Sequence, residues 1–199
     1  MNHPHDDSTP AVAIRRAVDA YRVHASVPQL LEALDTAAEG ETATALAAAV
    51  EPYRDIPEVA GPIYERIVAE RPGDARALVI LANAYWLAGR GPDVVGDLAS
   101  RAIAADPANR GGWHLWALTE ANPRRRTDRW LQVTKRFPCD DLAKANLADN
   151  AASLASAEND AVALKLAVST YEQLRATSQH PQQREALDAA LRTLKGWKV

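Results

Sequence analysis

Apolar residues recur every three or four positions along most of this chain, with charged and polar residues between them. The clearest case lies in residues 75–107, where Leu78, Leu81, Ala82 and Tyr85 follow this spacing. A helix turns once in roughly 3.6 residues, so these four side chains fall on a single stripe. Runs of β-branched residues and apolar–polar alternation, which are typical of strands, are missing. The pattern therefore predicts an all-α chain.

The same stretch contains a turn and a second helix. Two glycines and a proline fall within residues 89–92, and together they would cost several kcal/mol inside a helix. Glycine suits the end of one helix and proline the first turn of the next. The second helix carries Val95, Ala99 and Ala102 on one stripe and ends before Pro107, because the residue before a proline disfavours helical geometry. Residues 75–107 thus predict a helical hairpin.

This hairpin recurs along the chain. Pro72, Pro107 and Pro138 are 35 and 31 residues apart, and the hairpin resembles the tetratricopeptide repeat (TPR), whose period is about 34 residues. The resemblance covers roughly residues 41–178 and is strongest over 57–138. Residues that match the repeat pattern outside 75–107 are Ala60, Tyr64, Trp113, Trp116, Ala117, Trp130, Leu147, Ala148, Ala167 and Tyr171.

The chain also departs from the repeat pattern. Glu120 replaces the expected tyrosine, and the third unit is shortened and contains Asn122 and Pro123. Near the N-terminus, residues 11–38 have the spacing of a first helix but form a short pair. Whether that pair is a true repeat or a cap stays open.

The resemblance implies a TPR-like α-solenoid of antiparallel helix pairs. We predict a disordered N-terminal tail over residues 1–10 and a single helical-repeat domain over 11–199. Residues 181–196 should form a C-terminal capping helix, because a repeat array otherwise exposes its last seam. The predicted helices are 11–24, 28–38, 41–52, 57–70, 75–88, 93–105, 111–121, 126–136, 141–156, 160–177 and 181–196.

The resemblance also implies where a ligand would bind. Proteins with this fold usually hold a partner protein on the concave surface formed by the first helix of each pair. Trp86 is the strongest single candidate, because it follows the seam residue Tyr85 and so points away from the seam; packing of Trp86 against the next helix is the alternative. Applied residue by residue, the pattern gives the partner-binding candidates Arg76, Val79, Asn83, Trp86, His114, Leu118 and Asp149.

Charge is unevenly distributed. Residues 1–70 carry 5 basic and 12 acidic side chains, whereas residues 71–136 carry 11 basic and 6 acidic ones. Arginines beside an aromatic residue can meet phosphates and bases, but Trp130 occupies a packing position of the repeat, so a solvated helix face is the simpler interpretation. The basic patch comprises Arg124, Arg125, Arg126, Arg129, Lys135 and Arg136.

Sequence motifs of catalysis are absent. The chain has no phosphate-binding Gly-Lys-Ser/Thr loop, no His-Glu-x-x-His and no paired Cys-x-x-Cys, which are the usual marks of nucleotide and metal sites. We therefore expect no catalytic residues, no metal site and no cofactor. The single cysteine, Cys139, suits a reducing compartment, and no apolar run reaches the ~20 residues that cross a bilayer. A cytoplasmic location without membrane insertion is the expectation.

The sequence thus predicts a protein-interaction scaffold or adaptor that presents a TPR groove to a peptide or helix of a partner protein. One alternative is a nucleic-acid-associated regulator that uses residues 124–136, although nucleic acid is not the expected partner. Another is a dedicated inhibitor or chaperone of one neighbouring protein.

Overall fold

The computed structural model describes residues 9–198, and this part of the chain contains α-helices and loops but no strand. The predicted all-α class is confirmed. Residues 1–8 of the predicted tail lie outside the described residues, and Pro10 already belongs to the first helix. The helices are α1 (Pro10–His24), α2 (Val27–Ala38), α3 (Ala43–Val50), α4 (Pro57–Glu70), α5 (Ala75–Leu87), α6 (Pro92–Ala105), α7 (Arg110–Leu118), α8 (Pro123–Arg136), α9 (Asp141–Glu158), α10 (Ala161–Thr177) and α11 (Pro181–Lys195), with a 3-10 turn at Glu51–Tyr53.

Capping residues fix where several helices begin. The side chains of Asp74, Asn122, Asp140 and Asp160 each accept a hydrogen bond from a backbone N–H in the first turn of α5, α8, α9 and α10. Such a cap satisfies one of the N–H groups that the helix itself leaves without an acceptor. The turn before α6 contains Gly89 and Gly91 at φ of 69° and 93°, a region that glycine adopts without strain.

Several predicted helix ends differ from the observed ones by two or three residues. The helix predicted over 41–52 stops at Val50 and continues as the 3-10 turn Glu51–Tyr53. The helix predicted to begin at residue 126 already begins at Pro123, because proline is well suited to the first helical position when Asn122 caps the helix. The helix α7 ends at Leu118 rather than at 121, and the Glu120 side chain then accepts the backbone N–H of Asn122.

The chain divides into two compact units, one ending at Leu115 and the other beginning at Trp116. In the first unit α1 packs on α2 and α3, α2 and α3 both pack on α4, and α4, α5 and α6 pack in sequence. The contacts of α1 with α3 and of α2 with α4 are those expected when one helical pair stacks on the next. The pair α1–α2 therefore stacks on α3–α4 in the same way as a repeat.

In the second unit α8 packs on α9, α9 on α10, and α10 on α11. The predicted capping helix is present: Leu187, Leu191 and Leu194 of α11 are buried. Leu194 forms a cluster with Ala151 and Ala167, and Trp197 packs against it. This helix covers an apolar surface of α9 and α10 that would otherwise be exposed. That the whole of 11–199 acts as a single domain stays a prediction.

Small residues let neighbouring helices approach closely in the first unit. Ala99 and Ala102 of α6 are fully buried, and a Cβ atom added to Gly112 of α7 would lie 3.3 Å from the Ala102 Cβ atom. A Cβ atom added to Gly111 would lie only 2.8 Å from Cγ1 of Val79. The start of α7 therefore fits against α5 and α6 because two consecutive residues lack a side chain.

Substituting Gly111 by alanine should lower the free energy of unfolding by about 1 kcal/mol, despite alanine's better helix propensity. The reason is the Val79 side chain, which is β-branched and holds essentially one rotamer in a helix. Gly61→Ala is the matched control, since that glycine lies inside α4 with no atom within 4 Å of an added Cβ. The control should gain about 0.5–1 kcal/mol. Urea denaturation checks both values, and equal gains for the two variants would contradict the close approach.

Candidate protein-binding surface

A surface pocket of about 480 Å³ runs along α5 in the first unit. Arg76, Asn83 and Trp86, three of the residues predicted to bind a partner, line it together with Ile80 and Leu87 of the same helix. These positions share one face because they are spaced three, four or seven residues apart. The opposite wall comes from residues 54–57, between the 3-10 turn and the start of α4.

Trp86 and Leu87 leave a large apolar surface exposed at one end of this pocket. Trp86 is 38% exposed and Leu87 is 67% exposed, although both lie on a helix whose other apolar residues are mostly buried. Exposed aromatic residues that rim a pocket are frequent anchors in protein interfaces. This patch is therefore the strongest candidate for contact with a partner.

The preceding residue, Tyr85, has the opposite environment, as predicted. It is half-buried, and its hydroxyl donates a hydrogen bond of 2.7 Å to Oε1 of Glu65 on α4. Burial and then the Glu65 carboxylate raise the pKa of Tyr85 to about 12. Tyr85 thus remains neutral and joins α5 to α4, whereas Trp86 remains accessible.

Two guanidinium groups share a single carboxylate at the other end of the pocket. Oε1 of Glu51 accepts from Arg54 at 2.7 Å and from Arg76 at 2.6 Å. The Arg76 side chain is still 65% exposed, so its remaining N–H groups can donate to another acceptor. Asp55 lies 3.9 Å from Arg54, at the outer wall of the pocket. This end is accordingly polar, and the Trp86 end is apolar.

The other predicted binding residues lie elsewhere. Val79 does not line the pocket, because its side chain packs against Gly111 of α7. His114 is half-buried in α7, and Leu118 is 36% exposed in the second unit. Asp149 accepts a hydrogen bond from the Tyr171 hydroxyl, which links α9 to α10. The pocket brings together Arg76, Asn83 and Trp86, but not these four residues.

Sequence reasoning missed part of the pocket. Ile80 has the apolar character of a seam residue, so the sequence did not indicate that it lines a pocket. Arg54 lies between two predicted helices, where the repeat pattern assigns no binding residue. The detectable signal was the charge pair: Glu51 and Arg54 are three residues apart, a spacing at which side chains meet on one face of a helical turn.

The arginines of the basic patch are largely paired within the second unit. Arg124 contacts Glu158 and lies 2.9 Å from Asp160, and Nε of Arg126 donates to Asn150 at 2.7 Å. The interpretation of the patch as a solvated helix face is wrong for Arg126 and Arg129, which are only partly exposed. These arginines bind neighbouring segments of their own unit.

Arg129 and Glu120 form the most enclosed of these contacts. The Glu120 side chain is 7% exposed and forms ion pairs with Arg129 at 2.9 Å and Arg125 at 3.4 Å. It also accepts a hydrogen bond of 2.9 Å from the backbone N–H of Asn122. The pKa of Glu120 is lowered, chiefly by the hydrogen bond from Asn122. Burial acts in the opposite direction and raises this pKa, whereas the charges of Arg129 and Arg125 lower it further. The Arg129 guanidinium also lies over the Trp116 ring, 4.4 Å from its centre. A carboxylate thus replaces the expected tyrosine and holds the loop between α7 and α8.

Three further features of the described residues concern metal ligands, the single thiol and helix length. Residues 9–198 contain no group of three histidine, cysteine or carboxylate side chains arranged to hold a metal. Cys139 is exposed as a free thiol. None of the helices in that range combines the length and apolar character that crossing a bilayer requires.

Comparison with known proteins identifies the fold. No family model and no curated protein matches the sequence. Three solved structures of MamA, a protein that contains TPR repeats, are similar. Their TM-scores are 0.56, 0.59 and 0.54 at identities of 17%, 15% and 13%, over 78%, 86% and 91% of this chain and 94%, 97% and 96% of theirs. The chain therefore has a TPR-like helical-repeat fold.

Replacing Glu120 by glutamine should lower the free energy of unfolding by about 1–2 kcal/mol at neutral pH, because Arg129 loses its charged partner. The folded-state pKa of Glu120 lies below its ordinary value of 4.5. The ionised carboxylate therefore stabilises the fold above about pH 5, and this contribution is lost as the pH falls through the folded-state pKa. Urea denaturation at pH 7 and pH 3 should show a difference from wild type that shrinks at pH 3.

Glu185→Gln on the exposed face of α11 is the control for this experiment, and its stability should follow wild type at both pH values. A difference between Glu120→Gln and wild type that is equal at pH 7 and pH 3 would contradict a role for the Glu120 charge.

The pairing of the arginines also predicts weak binding to nucleic acid. Phosphate contacts by free lysines and arginines supply most non-specific affinity, and here Arg124, Arg126 and Arg129 already contact groups of their own unit. Fluorescence anisotropy with labelled single-stranded DNA and RNA at physiological salt should give no submicromolar association. Tight binding that weakens steeply with added salt would contradict the prediction.

Proposed function

We propose that this protein is a protein-interaction scaffold or adaptor that binds a segment of a partner protein along α5. The observation that carries the proposal is the exposed apolar surface of Trp86 and Leu87, next to Ile80, at the mouth of a pocket on a TPR-like fold. Burial of apolar area drives most association between proteins, and a concave site with a few polar groups is typical of a binding site.

The two ends of the pocket suit different parts of one ligand. An apolar side chain of the partner would pack on Trp86 and Leu87, where it displaces water from both. The exposed guanidinium of Arg76 would donate hydrogen bonds to a polar or acidic group, and the exposed amide of Asn83 lies between the two ends. An amide can both donate to and accept from a peptide backbone, so Asn83 would orient the bound segment.

The alternative of a nucleic-acid-associated regulator has less support. In its proposed surface, residues 124–136, arginines already form ion pairs with Glu120, Glu158 and Asp160. A dedicated inhibitor or chaperone of one protein would use the same pocket on α5, and so differs from a scaffold in its partner rather than in its surface. We also propose that the protein works in the cytoplasm and without catalysis, as the sequence suggests.

Exchanging Trp86 for alanine should weaken partner capture, whereas exchanging Tyr85 should damage the fold. Truncating a fully buried aromatic residue costs about 3–5 kcal/mol of stability; Tyr85 is half-buried, so a smaller loss of about 2 kcal/mol is expected, and the contact with Glu65 would also be lost. Truncating an interface anchor costs binding free energy, about 2 kcal/mol or more. Denaturant midpoints and affinity capture from the native host measure the two effects separately.

Val162→Ala is the control for affinity capture, since Val162 is an apolar residue that is 78% exposed on α10. Proteins that wild type and Val162→Ala retain, but Trp86→Ala loses, are the expected partners. If Trp86→Ala is stable and retains the same proteins as wild type, the partner binds elsewhere. If it unfolds as readily as Tyr85→Ala, Trp86 belongs to the core.

A further inference from the structure

We infer that the first unit has a second docking groove, between α4 and α6, and that this groove binds a basic amphipathic helix of a partner protein. The groove has a volume of about 770 Å³, larger than the pocket on α5. It does not include Trp86, Asn83 or Arg76, and the two sites share no lining residue. The inference is therefore independent of the function proposed for that pocket.

The floor and walls of the groove are apolar. Leu81 and Tyr85 of α5 form the floor, Val68 of α4 lies on one side, and Val94 and Leu98 of α6 lie on the other. Most of these residues are buried or half-buried, but Val94 is 45% exposed. Leu98 lies one turn after Val94 on α6 but is only 5% exposed, so Val94 and the half-buried Tyr85 present the apolar surface that a ligand can cover.

Carboxylates dominate the polar rim. Glu65, Asp93 and Asp97 are all exposed, and Arg101 is the one cation among the lining residues of the described chain. Arg101 lies 3.8 Å from Asp97 and offsets part of its charge. Arg90 stands near the rim, with its guanidinium 5.3 Å from the centre of the Tyr85 ring. Three carboxylates against these two cations still leave the rim acidic.

The dimensions and charge of the groove select its occupant. Its α6 wall extends from Asp93 to Arg101, which at 1.5 Å per residue is about 12 Å, or two turns of helix. A helix with apolar residues on one face could cover Val94 and Tyr85 in the helix-in-groove manner. Lysine or arginine residues that flank this face would meet Glu65, Asp93 and Asp97. An acidic helix would instead be repelled.

The two sites of the first unit therefore differ in what they select. The pocket on α5 presents the exposed cation Arg76 at the end opposite Trp86, whereas the groove between α4 and α6 presents carboxylates beside Val94. One chain could hold two different partner segments at once, since neither site uses a residue of the other. That is the property an adaptor needs.

A displayed library of random peptides of about 16 residues, selected on the full chain, tests the groove without knowledge of the natural partner. The triple variant Glu65→Gln, Asp93→Asn, Asp97→Asn removes the acidic rim while keeping side-chain shape, and glutamine at 65 can still accept from Tyr85. We expect selected peptides that are rich in lysine or arginine with an apolar face, and that bind this variant about tenfold more weakly than wild type.

The control triple variant Glu32→Gln, Glu39→Gln, Glu58→Gln changes net charge equally, at exposed residues of the same unit that do not line the groove. It should alter the affinity of these peptides less than threefold, and so should Trp86→Ala. Equal weakening by both triple variants would show a non-specific charge effect and overturn the proposal. The proposal is also overturned if the peptides that bind the Glu65→Gln, Asp93→Asn, Asp97→Asn variant more weakly are acidic or neutral. It is overturned as well if no selected peptide binds that variant more weakly than wild type.

Discussion

Close packing of helices at small residues is the constraint on which the rest of this structure depends. Ala82 of α5 and Ala99 and Ala102 of α6 are fully buried, and the glycines at the start of α7 fit where even a methyl group would be crowded. Larger buried side chains such as Ile63, Ile67 and Leu78 fill the rest of the core of the first unit. Those large side chains that fall outside the seams remain available to bind other molecules.

Adjacent residues on one helix therefore have different roles. Tyr85 turns inward and hydrogen-bonds to Glu65, while Trp86, one position on, remains exposed beside Asn83 and Leu87. Charged residues are divided in a similar way. The arginines of α8 are held by carboxylates and an amide of their own unit, whereas Arg76 keeps most of its surface exposed. The first unit thus exposes the side chains on which we propose binding, whereas Arg126 and Arg129 of the second unit contact groups of their own unit.

The helices could be predicted from the sequence because their signals, such as capping residues and apolar spacing, act within a few residues. Contacts between residues far apart in the sequence could not be predicted from these signals. Pro57, Pro92 and Asp74 mark helix starts, because proline geometry and capping act within one turn. The apolar spacing of α5 separated Tyr85 from Trp86 for the same reason. In contrast, Arg124 and Glu158 are 34 residues apart, and no periodicity predicts which carboxylate an arginine will meet. The contact of Val79 with α7 could not be predicted, because the glycines that allow it lie more than 30 residues later in the sequence.

Site-specific photo-crosslinking at position 86 tests most directly whether the pocket on α5 binds a partner. A photoreactive phenylalanine analogue would replace Trp86 in the full chain expressed in its native host, with the same analogue at the more exposed Val162 as the control position. The account predicts one defined crosslinked protein from position 86, identified by mass spectrometry, that is absent from position 162. If both positions give the same products, or if position 86 gives no product that position 162 lacks, the pocket on α5 does not bind a partner.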